Sequence, residues 1–214
     1  MLDPENKNNI DISPDALMSA VWKLPYGSSP DMSHHAEGMR LITKMIKAGA
    51  DPSQLAVPGH FENQSPTTPV IVAAASDDAI CLALLLSSPL ANPDFIDEDG
   101  DTALIVAAFH GNPKCVEILA PICDPNAQDR EGRNALVCAM LHGDAESVAI
   151  LAPITDLRAL NADGATARQV AQGHRQALRY IPLLDSILES QILEEAIPSA
   201  NEGPAGRPTR PRSL

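Results

Sequence analysis

A repeat of 32 residues constrains the fold of this chain more than any other sequence feature. Gly100, Gly132 and Gly164 follow one another at this spacing, and each comes directly after an acidic residue. The blocks 97–128 and 129–160 also share the segment Leu-Ala-Pro-Ile near their ends. A fixed period of this length indicates stacked supersecondary units, because one such unit cannot bury its own apolar face.

Each unit is predicted to contain a tight turn followed by two helices. Gly100 suits the turn, since glycine accepts a positive φ without steric cost. Thr102 can cap the first helix, and Gly111 can end it. Asn112 and Pro113 are then suited to be the N-cap and the first residue of the second helix.

The apolar residues of the unit follow helical spacing. Leu104, Ala107 and Ala108 lie on one stripe of the first helix, where the small alanines allow close packing. The second helix is expected to present four apolar residues to the core: Val116, Ile118, Leu119 and Ile122. Pro121 and Pro153 cannot continue a helix normally, so the second helices should end near them.

This pattern resembles the ankyrin repeat family, whose core reads D-x-x-G-x-T-P/A-L-x-x-A-A-x-x-G. The matching residues are Asp97, Gly100, Thr102, Ala103, Leu104, Ala107, Ala108 and Gly111. Gly49, Ala50 and Asp51 also resemble the family's G-A-D turn. The resemblance implies an all-α solenoid of stacked helix-turn-helix units with short hairpin fingers, and binding of another protein as its activity. The Leu-Ala-Pro-Ile-x-Asp repeat ends resemble those of ankyrin proteins from bacteria.

We expect three segments along the chain. They are a mobile arm over 1–12, an ankyrin repeat domain over 13–195, and a disordered tail with Pro and Arg over 196–214. The five expected repeats are 13–54, 63–96, 97–128, 129–160 and 161–195. In the last repeat, Pro182 would cost about 3 kcal/mol inside a helix, so we expect it to start the helix instead.

The composition narrows the choice of partner. A formal net charge of −13 disfavours nucleic acid, which needs a basic surface, and favours a protein partner with a basic patch. The four cysteines lack paired C-x-x-C spacing, so reduced thiols in a cytoplasmic protein are expected. The apolar run around Ala79–Leu86 is too short to span a membrane. We expect a monomer that uses no cofactor and no metal.

Histidine and cysteine offer two chemical alternatives, neither of which is favoured. His110 and His142 are equivalent in the repeat, but stacked helices lie about 8–10 Å apart, too far for a shared zinc ion with bonds of about 2 Å. Cys138 and His142, four residues apart, suit a thiolate–imidazole pair. Because Cys138 aligns with Val106, a small buried thiol is preferred. The sequence also lacks a phosphate loop, a serine elbow and a zinc-protease motif, so we expect no enzyme activity.

The family resemblance implies that partners bind to the hairpin tips and the first helices. In the third repeat the candidates are Glu98, Asp99, Asp101, Phe109 and His110. In the fourth repeat they are Arg130, Glu131, Arg133, Leu141 and His142. In the fifth repeat they are Asp163, Ala165 and His174. Two aromatic residues near irregular N-terminal segments, Tyr26 and Phe61, are further candidates, because aromatic side chains anchor interfaces.

The third hairpin, residues 97–101, concentrates four carboxylates in five residues. Neighbouring like charges repel, so folding alone has no use for such a concentration. The cluster is interpreted either as a partner-binding site or as a solvated turn. Two narrower roles stay open beside general protein binding. One is an immunity or antitoxin protein that inhibits a basic enzyme, and the other is a bacterial effector acting on host proteins.

Overall fold

The computed structural model describes residues 10–24, 32–56 and 66–196. These residues form α-helices joined by short turns, with isolated antiparallel bridges at Ala56–Thr67 and Leu160–Thr166. In chain order the α-helices are α1 Pro14–Trp22, α2 Met32–Lys47, α3 Pro69–Ala75, α4 Ala79–Leu86, α5 Ala103–His110, α6 Pro113–Leu119, α7 Ala135–His142, α8 Ala145–Leu151, α9 Ala167–Gly173 and α10 Ile181–Ala196. A 3₁₀ helix, Ala177–Tyr180, lies between α9 and α10.

The helices stack in two rows. The first helices of successive pairs, α1, α3, α5, α7 and α9, each pack against the next one in their row. The second helices α2, α4, α6 and α8 form the other row. Leu104 and Leu136 are buried in the core that joins the rows. The architecture is the predicted all-α repeat solenoid. Within the described ranges, no helix has the length and apolarity needed to cross a membrane.

Local capping chemistry sets the bounds of the first helices. Side chains at the N-cap position accept an N–H from three residues further on; these caps are Thr68, Thr102, Asn134 and Thr166. At the other end, Gly111 and Gly143 take left-handed conformations with φ of 69° and 88°. Asp77, which follows α3, also has a left-handed conformation, with a φ of 54°.

Asn112 corrects one sequence prediction. It precedes α6 but makes no side-chain capping bond to it. Its Nδ2 atom instead donates to the carbonyl oxygens of Ala74 at 2.7 Å and Ala75 at 3.0 Å. The last carbonyls of α3 have no partner within their own helix. The Asn112 amide donates hydrogen bonds to these carbonyls and so links the third repeat to the second.

Ile122 corrects a second prediction. The helices α6 and α8 end at Leu119 and Leu151, two residues before Pro121 and Pro153, as the prolines predict. The chain therefore leaves α6 before Ile122, which lies exposed in the following turn rather than in the core.

The C-terminal helix begins close to the predicted residue. The first residue of α10 is Ile181, one position before Pro182. Leu184 is buried against the stack. Before α10, the 3₁₀ helix buries Tyr180, an element that the sequence pattern did not indicate.

Near the N-terminus, two residues of the expected arm, Ile10 and Ile12, are partly buried against the core. Residues 1–9 and 197–214 lie outside the described residues. The segment boundaries at 12 and 196 therefore stay predictions.

Candidate functional site

The hairpin before α5 is organised by the carboxylate of Asp97. Its Oδ1 atom accepts the N–H groups of Asp99 and Asp101, each at 3.0 Å. Its backbone N–H donates to the carbonyl of Asp101, and its carbonyl accepts from Gly100. The Thr67 hydroxyl donates to Oδ2 at 3.1 Å. One of the four clustered carboxylates thus has a folding role, so the prediction that folding does not use this cluster is wrong for Asp97.

The next two hairpins repeat this geometry. Asp129 Oδ1 accepts the N–H groups of Glu131 at 2.9 Å and Arg133 at 2.8 Å. Asn161 does the same with the N–H groups two and four residues further on, at 3.0 and 2.8 Å. Each hairpin tip is therefore closed by one buried or half-buried side chain. The tip residues Glu98 and Arg130 are left exposed on the surface.

Basic residues of the fourth hairpin lie against the acidic third hairpin. Arg130 Nη1 is 3.6 Å from Asp99 Oδ1, and both side chains are exposed. Arg133 bonds within its own hairpin, through Nε to Asp129 Oδ2 at 2.8 Å and through Nη1 to Glu131 Oε2 at 2.7 Å. The two hairpins together present alternating charge rather than one acidic field.

Asp101 is the most perturbed carboxyl of this surface. Burial is the largest cause that raises its pKa from 3.8 to about 6, followed by the nearby carboxylates of Asp97, Asp129 and Asp99. The charge of Arg133 acts in the opposite direction. A carboxyl with this pKa exchanges its proton in mildly acidic solution.

Phe109 is the exposed aromatic residue of the site. It lies in the last turn of α5, and 51 % of its surface is exposed. The Cζ atom of Arg133 lies 5.7 Å from the centroid of its ring, and the His110 ring meets it edge-on with centroids 5.6 Å apart. A guanidinium at this distance is attracted to an aromatic face. Phe109 is therefore an exposed apolar ring with a cation fixed beside it.

The two equivalent histidines differ in their surroundings. Burial first, and then the charge of His142, lowers the pKa of His110 and so favours its neutral ring. His142 packs over the end of α5, where a Cβ atom added to Gly111 would collide with its ring. Its position is explained by covering that glycine. In the described part of the chain, no group of three or more His, Cys, Asp or Glu residues is arranged to hold a metal ion.

A groove opens between the fourth and fifth hairpins, with a volume of ≈ 520 Å³. It brings together predicted residues from both repeats: Arg130, Glu131, Arg133, Leu141, Asp163, Ala165 and His174. Val137 and Val170 also line it, and sequence reasoning missed both. Their residue type and spacing matched ordinary core positions, so no sequence signal distinguished them.

The remaining candidates divide into two groups. Tyr26 and Phe61 lie outside the described residues. Cys138 is buried, and burial is the main cause that raises its thiol pKa to about 12. It is the small buried thiol that its alignment predicts. All four cysteines are buried and unpaired with one another.

Two rows of stacked helices with hairpin fingers, repeated at 32 residues, define this protein as a helical repeat solenoid. A family model described as ankyrin repeats, in three copies, matches residues 33–129. Residues 33–129 therefore contain ankyrin repeats. The turn geometry at Asp129 and Asn161 continues the same architecture through the following repeats. Comparison with curated protein sequences gave no match. Ankyrin repeats generally mediate protein–protein interactions.

Proposed function

We propose that this chain is a non-catalytic module that binds one partner protein through its third, fourth and fifth hairpins and the adjoining first helices. The observation that carries the proposal is the setting of Phe109. Its ring is half exposed, and Arg133, which is fixed over it, also lines the groove between the fourth and fifth hairpins. Aromatic and Arg side chains dominate binding energy at protein interfaces.

The chemistry of this surface defines the partner in outline. Glu98 is exposed on the third hairpin and suits a basic group of the partner, whereas Asp99 lies 3.6 Å from Arg130 Nη1. Phe109 suits an apolar side chain placed next to that group. The groove, with Leu141 and His174 in its lining, accepts a second, mixed apolar and polar contact. Charged residues at the edge of the interface should speed association. The Phe109 ring, once it is buried against the partner, should slow dissociation.

A second candidate function is inhibition of a basic enzyme, and the charge distribution favours it. Residues 51–163 hold 17 of the 28 acidic residues and four of the 15 basic residues, so the whole formal charge of −13 lies in this range. Such a field accelerates encounter with a basic protein. The four buried, unpaired cysteines support action in a reducing compartment such as the cytoplasm.

The proposal is tested by affinity capture from cells with quantitative mass spectrometry. The bait variants are wild type, Phe109→Ala and Ile80→Ala; Ile80 is an exposed apolar residue of α4, in the other helix row. We expect a partner that wild type and Ile80→Ala enrich equally, and that Phe109→Ala loses about tenfold or more. Equal capture by Phe109→Ala would overturn the proposal. If the purified partner is an enzyme that stoichiometric wild-type protein inhibits, the second candidate function is supported.

A further inference from the structure

A second surface lies in the turns that follow α4, α6 and α8. Leu90, Ile122 and Ile154 lie 32 residues apart in these turns. The N–H groups of Ile122 and Ile154 donate to the carbonyls three residues earlier, whereas that of Leu90 donates to Ser88 Oγ in a longer turn. Their exposed fractions are 50, 46 and 44 %. We call these three residues the turn ladder. Large exposed apolar residues that recur at one structural position are informative, whereas scattered ones are not.

Residues after the ladder positions fill the core. In the first repeat the residue at the matching sequence position is Gly49, whose φ of 95° differs from the backbone of the ladder residues, none of which has a positive φ. Ala50, the residue after it, is buried, as is Cys123 after Ile122. The core position of the turn is thus filled by the following residue in both cases. The ladder side chains themselves are about half exposed and lie outside this core.

The turns are held in register by bonds from one repeat to the next. Asp94 Oδ1 accepts the N–H of Asp124 at 2.8 Å. Asn126 Oδ1 accepts the N–H of Asp156, also at 2.8 Å. Since the repeats stack at the spacing of packed helices, about 8–10 Å, consecutive ladder residues are expected to lie at about that spacing on a fixed edge.

We propose that the turn ladder is a docking edge for a basic amphipathic helix of a partner protein. Residues seven apart in an α-helix are separated by about 10.5 Å and lie on nearly the same face. One apolar residue per heptad can therefore meet one ladder residue per repeat. The carboxylates of Asp94 and Asp124 are exposed beside the ladder and complement Lys or Arg on the flanks of such a helix. Asp156, beside Ile154, lies 3.8 Å from Arg158 Nε, so its charge is partly balanced within the chain.

Charge argues against two other occupants. A second copy of this chain would bring its own acidic edge against Asp94 and Asp124, and like charges across an interface oppose association. Residues 197–214 of the same chain carry Arg207, Arg210 and Arg212, but they are rich in Pro and Gly and lack apolar residues at heptad spacing. The inference does not rest on the proposed function, because the ladder shares no residue with the Phe109 surface.

The test uses the full chain and a fluorescent synthetic helix of three heptads, with one Leu per heptad, Lys beside it, and Ala or Gln elsewhere. Two control peptides have the same composition in scrambled order, or Glu in place of Lys. The ladder variant is Leu90→Gln/Ile122→Gln/Ile154→Gln. The matched variant, Ile80→Gln/Ile96→Gln/Leu160→Gln, removes three exposed apolar residues elsewhere.

Fluorescence anisotropy should show that the basic peptide binds wild type and the matched variant with the same Kd. Affinity should fall by about tenfold or more for the ladder variant, and both control peptides should bind wild type at least that much more weakly. Equal binding of the scrambled peptide would show general charge attraction and overturn the proposal. So would unchanged binding by the ladder variant, or a wild-type dimer in sedimentation that the ladder variant abolishes. Circular dichroism confirms that both variants remain folded.

Discussion

The guanidinium of Arg133 lies over the ring of Phe109, with its Cζ atom 5.7 Å from the ring centroid. Arg133 belongs to the fourth hairpin and Phe109 to α5 of the third repeat, so this contact crosses the boundary between repeats. The guanidinium is fixed in turn by Asp129 at 2.8 Å and Glu131 at 2.7 Å. The position of the Phe109 ring therefore depends on the fourth hairpin, which holds Arg133 in place.

Asp129 should be the most sensitive residue of the fourth hairpin. We expect Asp129→Ala to lower the free energy of unfolding by about 2–4 kcal/mol, because two N–H groups lose their acceptor and Arg133 loses its buried partner. Asp129→Asn keeps an acceptor oxygen, as Asn161 does in the next hairpin, and should cost about half as much. Urea denaturation measures both values, and equal losses for the two variants would refute the acceptor role.

Asp101 should make stability depend on pH. Its pKa is raised to about 6 in the folded state, against 3.8 for the ordinary group, so the folded state binds more protons between these values and loses stability as pH rises through that window. Asp101→Asn removes the effect and should stabilise the protein by about 1 kcal/mol at pH 7.5, after allowance for solvent screening. At pH 4 the gain should nearly vanish. Urea unfolding at both pH values checks this, and an equal gain at both would exclude the carboxyl as its cause.

Substitution of Asp77 by glycine should stabilise the protein. Asp77 is a non-glycine residue with a φ of 54°, two positions after the last residue of α3. At the matching position after α5 the chain has Gly111, with a φ of 69°. Asp77→Gly should raise the free energy of unfolding by about 0.5–1 kcal/mol, since glycine relieves the left-handed conformation. Gly111→Ala should destabilise by about 2 kcal/mol or more, because φ is positive and His142 occupies the space of the new methyl group. Thermal unfolding measures both changes, and a destabilising Asp77→Gly would show that its conformation carries no strain.

Leu136 tests the core between repeats. It is fully buried, so Leu136→Ala should cost about 2–5 kcal/mol by loss of transfer energy and creation of a cavity. Ile80→Ala, at an exposed position of α4, serves as the control and should change stability by about 0.5 kcal/mol or less. A urea midpoint for Leu136→Ala close to that of the control would contradict burial at the interface between repeats.

Much of this fold could be predicted because its determinants are local. Gly100 and Thr102 specify their turn and helix cap within a few residues, and Pro121 stops its helix wherever the repeat is placed. Asn112 was misinterpreted because its amide bonds to α3, 38 residues earlier. Ile122 was misplaced because the exposure of a residue after a helix depends on the path of the turn.

The candidate site was predictable to a similar extent. The family resemblance named residues of the fourth and fifth repeats that the structure brings together in one groove, such as Arg133 and His174. The contact between Arg133 and Phe109 joins residues 24 positions apart, and it depends on how the fourth hairpin packs against the preceding helix α5. Val137 entered the groove unpredicted, because an apolar residue in a first helix has the same appearance in sequence whether it lines the core or a groove.

The central claim is that the partner meets the third hairpin, and binding kinetics with the captured partner test it most directly. The variant is Glu98→Lys/Asp101→Lys, and the control is Glu117→Lys/Glu146→Lys, which makes the same charge change at exposed positions of α6 and α8. At low salt the hairpin variant should associate about tenfold more slowly than the control, with little change in dissociation, and the difference should shrink as salt rises. Association rates equal to those of the control at low salt, with circular dichroism showing that both variants are folded, would contradict the account.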